Sequence, residues 1–196
     1  TKDGVSESIS WREGVSVLKN GVAFPAWTAD DFMPPDGYLE LIDSNNDAEA
    51  DVIFIYDPLV IICDSASEED GRVAISGRNG AEIKIQTPAR LSVLINGKSG
   101  SVSELSDLDV VYAYLSENEN CLLVEASTNR MEAAADAVSS DCVEIQGKAY
   151  DLSQYFIQAQ KEGTLFLEPA VQTTFLFDNE NRLVWIDQNV KLGANA

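Results

Sequence analysis

Apolar residues recur at every second position in short runs along this chain, and turn-forming residues separate the runs. The stretch from Tyr38 to Asp57 shows the pattern best. Leu39 and Leu41, and then Val52, Phe54 and Tyr56, alternate as a strand with one buried face requires. Ile53 and Ile55 are apolar as well, which predicts a strand covered on both faces or paired centrally in its sheet. The intervening segment, Asp43 to Asp51 (DSNNDAEAD), has too little apolar surface to fold inward, and its Asp and Asn side chains favour turns. The stretch therefore predicts a β-hairpin with a long acidic loop.

Shorter versions recur on either side. Val15 and Val17 lead through Asn20-Gly21 to Val22 and Phe24, a strong short-range hairpin signal. Pro25, Pro34 and Pro35 mark an irregular connection up to Gly37. Leu59 to Cys63 reads as a buried strand and Ser65 to Gly71 as a polar turn, while Val73/Ile75 and Ile83/Ile85 bracket Arg78-Asn79-Gly80 as a hairpin. Leu91 to Ile95 ends at Asn96-Gly97, and Val110 to Leu115 faces Leu122 to Val124 across Ser116 to Asn120. Asn129 to Val138 (NRMEAAADAV) has helix-forming composition without a wide apolar stripe, so helix and strand both stand. Val143 to Leu152 predicts a hairpin turning at Gln146-Gly147, Tyr155 to Pro169 a long connection, and Thr173 to Phe177 a strand paired with Leu183 to Ile186.

Many short strands with little helix define an all-β protein. The chain divides into a polar leader (1–14), a larger sandwich- or barrel-like module (15–126), a smaller one (127–190) and a tail (191–196).

Set side by side, the segments share a two-part unit. VLKNG, LINGK and EIQGK each end a strand in a glycine turn, and each is followed by a hairpin with an Asx/Glu loop. The spacing is unequal, which argues against a solenoid or propeller and for duplicated small β modules with divergent loops. Independent hairpins that converged on the same turn chemistry are the competing explanation.

The succession VLKNG…DGYLELIDSNNDAEADVIFIYD, LINGK…DLDVVYAYLSENENCLLVEAS and VEIQGKAYDLS…TTFLFDNENRLVWID resembles the β-rich repeat modules of cell-surface proteins from clostridia-type bacteria, which accompany S-layer homology or stalk-type domains. The resemblance covers roughly residues 15–188 and rests on turns and alternation. It implies an exported, cell-wall-associated module that spaces or binds, partnered by other domains of the same surface protein and by cell-wall polysaccharide or protein. Ala48 and Ala50 stand where the resemblance would place a glycine, and RMEAAADAV departs from its β-rich pattern.

Composition narrows the chemistry. With 196 residues, 45% of them hydrophobic, the chain can build a sizeable core. Its 33 acidic and 13 basic residues give a formal net charge of −20, which repels phosphate backbones and anionic lipid, so neither nucleic acid nor membrane insertion is expected. No run approaches transmembrane length. The absence of histidine removes an imidazole base, a Ser-His triad and a histidine metal ligand. Cys63, Cys121 and Cys142 are odd in number, lack CxxC spacing and sit in or beside apolar runs, as small buried hydrophobes do.

Candidate chemistry remains in two residue classes. Asp43, Asn45, Asp47 and Asp51 occupy positions 1, 3, 5 and 9 of a calcium-type loop, but Ala48 stands where an EF-hand needs glycine and Phe54 where it needs a bidentate glutamate. A weak extracellular-type site, with Kd on the order of 10⁻⁴ to 10⁻³ M, is the most this pattern supports, and a solvated turn is favoured over it. No other cofactor is implied. Glycoside hydrolysis needs two carboxylates and no histidine, and Asp30 and Asp31 near Trp27, or Glu68 to Asp70, meet that on composition alone. In so acidic a chain such pairs arise by chance. Among the aromatic residues, Trp11, Trp27 and Trp185 are candidates for a carbohydrate- or peptide-binding platform. Trp27 is the foremost, set in a proline-bounded connection, with burial in the core its favoured alternative, while Trp185 lies in an alternating run that packs. The expected function is a non-catalytic extracellular module that spaces or binds, with a carboxylate-dependent glycoside hydrolase or carbohydrate-binding domain as the alternative.

Overall fold

The computed structural model describes residues 10–187 and is mostly β, with 53% strand and 8% helix and no closed barrel. The predicted tail, residues 191–196, lies outside the described residues, as does the leader up to residue 9. Residues 11–14 of that leader belong to the first strand, β1 (Trp11–Lys19), because Trp11 and Ser16 to Lys19 pair with a neighbouring strand further along the chain.

The first sheet contains β1, β2 (Val22–Ala23), β3 (Tyr38–Ile42) and β4 (Ala50–Tyr56) in the order β2-β1-β4-β3. β3 and β4 form the predicted hairpin, with Tyr38 opposite Tyr56 and Ile42 opposite Val52. β4 is central, flanked on its other side by β1 in parallel. The deeper face is the Ile53/Ile55 series, which packs with Val15 and Val17, while Val52, Phe54 and Tyr56 are only half-buried.

The second sheet has seven strands: β5 (Leu59–Glu69), β6 (Arg72–Gly77), β7 (Glu82–Gln86), β8 (Arg90–Ile95), β9 (Lys98–Ser99), β10 (Val110–Leu115) and β11 (Cys121–Ser127). Their order is β7-β6-β5-β10-β11-β8-β9. Ser65 to Glu69 is a strand and not the polar turn that its composition indicates. It pairs with β6 through a two-residue turn at Asp70-Gly71, both at positive φ (51° and 71°), as a type I′ hairpin turn requires. The β8–β11 half repeats the first sheet's arrangement: a glycine-turn hairpin (β8–β9), a parallel pair (β8 with β11) and an antiparallel pair (β11 with β10).

The third sheet, in the order β14-β13-β12-β15-β16, comprises β12 (Arg130–Val138), β13 (Cys142–Ile145), β14 (Lys148–Asp151), β15 (Gln172–Phe177) and β16 (Leu183–Asp187). The open choice at 129–138 resolves to strand. Ala133 and Ala135 are buried between partners on both sides, so tertiary pairing overrides the helical composition. Within the predicted connection after Tyr155 lies a helix, α1 (Gln154–Lys161), capped by Ser153, whose Oγ accepts the Phe156 N–H at 3.0 Å. Phe156, fully buried, nails α1 to Val143, Phe175 and Leu183.

A middle core joins the second and third sheets. Val60, Ile62, Val110 and Tyr112 of β5 and β10 pack with Leu176 and Val184 of β15 and β16. The opposite face of β5 and β10 is covered by its own core of Ile61, Cys63, Val111 and Ala113. β10 is thereby buried on both faces, and its alternation aims Tyr112 and Tyr114 at the junction. Asn20 ties the first sheet in. Its Nδ2 donates to the carbonyls of Asp57 and Leu115, and its Oδ1 accepts the Asp57 N–H.

Candidate functional site

Three sites invite attention: the acidic loop, the tryptophan connection and the junction of the sheets. In the acidic loop the candidate metal oxygens face the backbone. Asp43 Oδ1 accepts N–H groups from Asn45, Asn46 and Asp47, and its Oδ2 accepts that of Ala48. Asn45 Oδ1 accepts the Asp47 N–H, and Asp47 Oδ1 that of Glu49. Asp51 accepts the Ser44 N–H at 2.7 Å and the Ser44 hydroxyl, and its other oxygen lies 2.9 Å from Arg12 Nε. These bonds hold Asp51 below the usual carboxylate range, the Ser44 hydroxyl contributing most. The four residues thus build nested Asx turns, with Asn46 and Ala48 at positive φ (62° and 68°). Among the described residues no group of three or more Cys, Asp or Glu side chains is arranged to hold a metal ion.

Trp27 is half-buried. Its ring stacks on Phe32 at 5.1 Å and meets Trp11 edge-on at 5.9 Å, forming a cover over the first sheet's core. Asp31 caps the short turn there by accepting the Thr28 N–H and hydroxyl. Glu68 to Asp70 are exposed at the β5–β6 turn. Trp185 packs into the middle core and the third sheet. Trp11 and Trp27 pack ring against ring, and none of these tryptophan or paired-acid candidates lines the cleft between the sheets.

The third region was not singled out by sequence. A cleft of about 600 Å³ opens where the three sheets meet. Tyr112 and Tyr114 come from β10 and Glu125 from β11, where it lies opposite Tyr112 in the strand register. The β15–β16 turn supplies Asp178 and Arg182, β3 supplies Tyr38, and the approach to β3 supplies Asp36. Gly37 is required beside Asp36, since a Cβ there would sit 2.1 Å from the Tyr56 carbonyl oxygen.

Asp178 is only 1% exposed yet fully partnered. Its Oδ1 accepts the N–H groups of Glu180 (2.9 Å) and Arg182 (2.8 Å), and its Oδ2 takes Arg182 Nε at 2.7 Å and the Tyr112 hydroxyl at 3.3 Å. Asp36, also buried, reaches from the first sheet to the third. It accepts the N–H groups of Gln154 and Tyr155 at the start of α1, and Arg182 Nη1 lies 3.6 Å from its Oδ1. With Ser153 it satisfies the helix's otherwise unpaired donors. Burial pushes the Asp36 carboxyl up, against those two backbone N–H bonds. Burial also opposes the Arg182 charge, but Asp178 leads a set of neighbours that raise its pKa above the ordinary arginine value.

On the cleft's outer side Tyr38 stacks on Tyr56 at 4.4 Å and meets Tyr114 edge-on at 6.1 Å. The Tyr114 hydroxyl donates to Glu125 Oε2 at 3.3 Å. Burial first, and the Glu125 charge second, lift the Tyr38 phenol to about 12. The Tyr-rich alternation VVYAYL and the turn DNENR carry these residues in the sequence, but nothing local says that they meet.

Comparison of the chain with protein-family models, with curated proteins and with solved structures finds no match.

Proposed function

We propose that the chain is a non-catalytic extracellular β module of a larger, cell-wall-associated protein, in which it spaces or binds material outside the cell. The observation that carries this reading is the commitment of the buried acids at the junction. Asp36 and Asp178 are each held by backbone N–H groups and by Arg182, so neither is poised to shuttle a proton. A glycosidase needs one carboxyl free to protonate the leaving oxygen and a second to attack or activate water, whereas among the cleft's acids Glu125 alone is clear of Arg182. The Asp36 contacts also hold the start of the first sheet's hairpin to α1 and to Arg182 of the β15–β16 turn, which suits a rigid spacer.

The common order and pairing sense of β1–β4 and β8–β11 support descent of both from one duplicated unit. Two measurements test the proposal. Antibody raised against the chain is expected to label intact cells of the producing organism, and labelling only after permeabilisation would overturn the extracellular setting. Incubation with wall polysaccharide is expected to release no reducing ends, and release that disappears in Asp178→Asn or Glu125→Gln would establish the hydrolase instead.

A further inference from the structure

The cleft's charge is unbalanced in one place. Asp36, Asp178 and Glu180 all lie within ion-pair reach of the single Arg182, at 3.6, 2.7 and 3.6 Å. Glu125 is different. It is half-buried on β11, its Oε2 accepts the neutral Tyr114 hydroxyl, and it makes no ion pair among the described residues. Its neighbours Tyr38 and Tyr114 present phenol rings, and Tyr38 is 45% exposed at the mouth. The cleft is thus lined by four carboxylates against one guanidinium, and the aromatic wall beside Glu125 favours a positive ligand over water. The volume, about 600 Å³, is within the range of small-molecule sites.

We propose that this cleft binds a protonated primary amine, with Glu125 as the counter-ion, Tyr38 and Tyr114 as the aromatic wall, and the remaining space filled by the amine's organic body. The ammonium donates to the Glu125 oxygen that Tyr114 leaves free. The rings of Tyr38 and Tyr114 flank its methylene stem. The net charge of −20 draws such a cation in and makes the association fall with salt. This inference rests on the cleft alone and holds whether or not the chain lies on a cell surface.

The test is calorimetric titration of the intact chain at low ionic strength with 1,5-diaminopentane, with 1-pentanol as the neutral counterpart and choline as a cation whose quaternary nitrogen has no N–H to donate. The diamine is expected to bind, pentanol not to bind, and choline to bind more weakly. Glu125→Gln, which keeps shape and hydrogen bonding, is expected to cut diamine affinity at least tenfold. Tyr38→Ala, which removes one ring of the wall, should cut it several-fold in variant protein whose circular dichroism shows the wild-type fold. Glu117→Gln, an exposed acid outside the cleft, should leave it unchanged. Equal loss in Glu117→Gln and Glu125→Gln would reduce the effect to general charge and overturn the site. So would binding of choline as tight as that of the diamine, or no binding by the folded wild-type chain.

Discussion

Two Asx turns in this molecule use the same local chemistry with opposite surroundings. The Asp43 loop closes the β3–β4 hairpin in solvent, and its leading aspartate gathers four backbone N–H groups. The Asp178 turn closes the β15–β16 hairpin, and its aspartate gathers two. The remaining valences of Asp178 go to Arg182 and, across the sheets, to Tyr112. An aspartate turn thus serves as a local clip where water surrounds it and as a tertiary fastening where the core does. The richer acidic sequence marks the less consequential of the two.

Removing Asp178 breaks this contrast most severely. Asp178→Ala leaves Arg182 without its nearest anion and two turn N–H groups without an acceptor, a loss of about 3–5 kcal/mol for a broken buried pair. For a chain of this size the melting temperature should fall by roughly 2–4 °C per kcal/mol. Asp178→Asn, which retains an acceptor for the turn, should recover part of the loss. A Asp178→Ala variant that unfolds in urea at the wild-type midpoint would remove the distinction between the two turns.

Asp36→Ala ranks next. It strips two N–H partners from α1 and a second anion from Arg182, and a lost cap alone costs about 1–2 kcal/mol. Because Asp36 fastens the start of α1 from the first sheet, hydrogen exchange should quicken at Gln154 and Tyr155 well before it does in β10. Uniform acceleration over the whole chain would show that α1 has no separate dependence on this carboxylate.

Acid titration sharpens the comparison by sign. Burial raises the Asp36 pKa, so the folded state binds more protons than the unfolded state between the ordinary aspartate value and the raised one. The Asp36 contribution is present below that window and is lost as pH rises through it. Asp43 is shifted the other way. Its slight burial works against the charge, but the N–H groups of Ala48, Asn46, Asp47 and Asn45 outweigh it and lower the pKa. Its contribution is present above the ordinary value and is lost as pH falls through the lowered one. The stability of Asp36→Asn relative to wild type should therefore climb with pH across the acid range, while that of Asp43→Asn should decline. Matching slopes in urea midpoints measured from pH 3 to pH 6 would contradict the assigned environments.

Much of the fold was legible because its determinants are local. Asn20-Gly21, Asn96-Gly97 and Gln146-Gly147 all take positive φ at both positions and each closes a tight hairpin, as the sequence predicts at the first and third. What stayed hidden depends on pairing or distance. Ser65 to Glu69 is polar and largely exposed, and only its β6 partner makes it a strand. α1 has eight residues and buries just Phe156 and Ala159, too little for a helical period to register. The parallel pairs β1/β4 and β8/β11 join segments that no hairpin signal links. The cleft is the extreme case. Asp36, Glu125 and Arg182 come from three separate sheets or their approaches, and each looks like a solvated surface charge where it stands in the sequence.

Calcium gives the smallest effect and the finest test of the exposed turn. An ion entering the Asp43 loop would need the oxygens of Asp43, Asn45, Asp47 and Asp51 together, and each already accepts bonds that shape the backbone around it. Coordination would exchange several N–H···O bonds for ligation while Arg12 competes for Asp51 at 2.9 Å. Millimolar calcium should therefore move the melting temperature of the wild type little and by the same amount in Asp43→Asn, as general screening of so acidic a chain would. A shift that saturates in the wild type and is absent from Asp43→Asn would mean that the turn opens to take the ion, and its aspartates would then serve as ligands as well as clips.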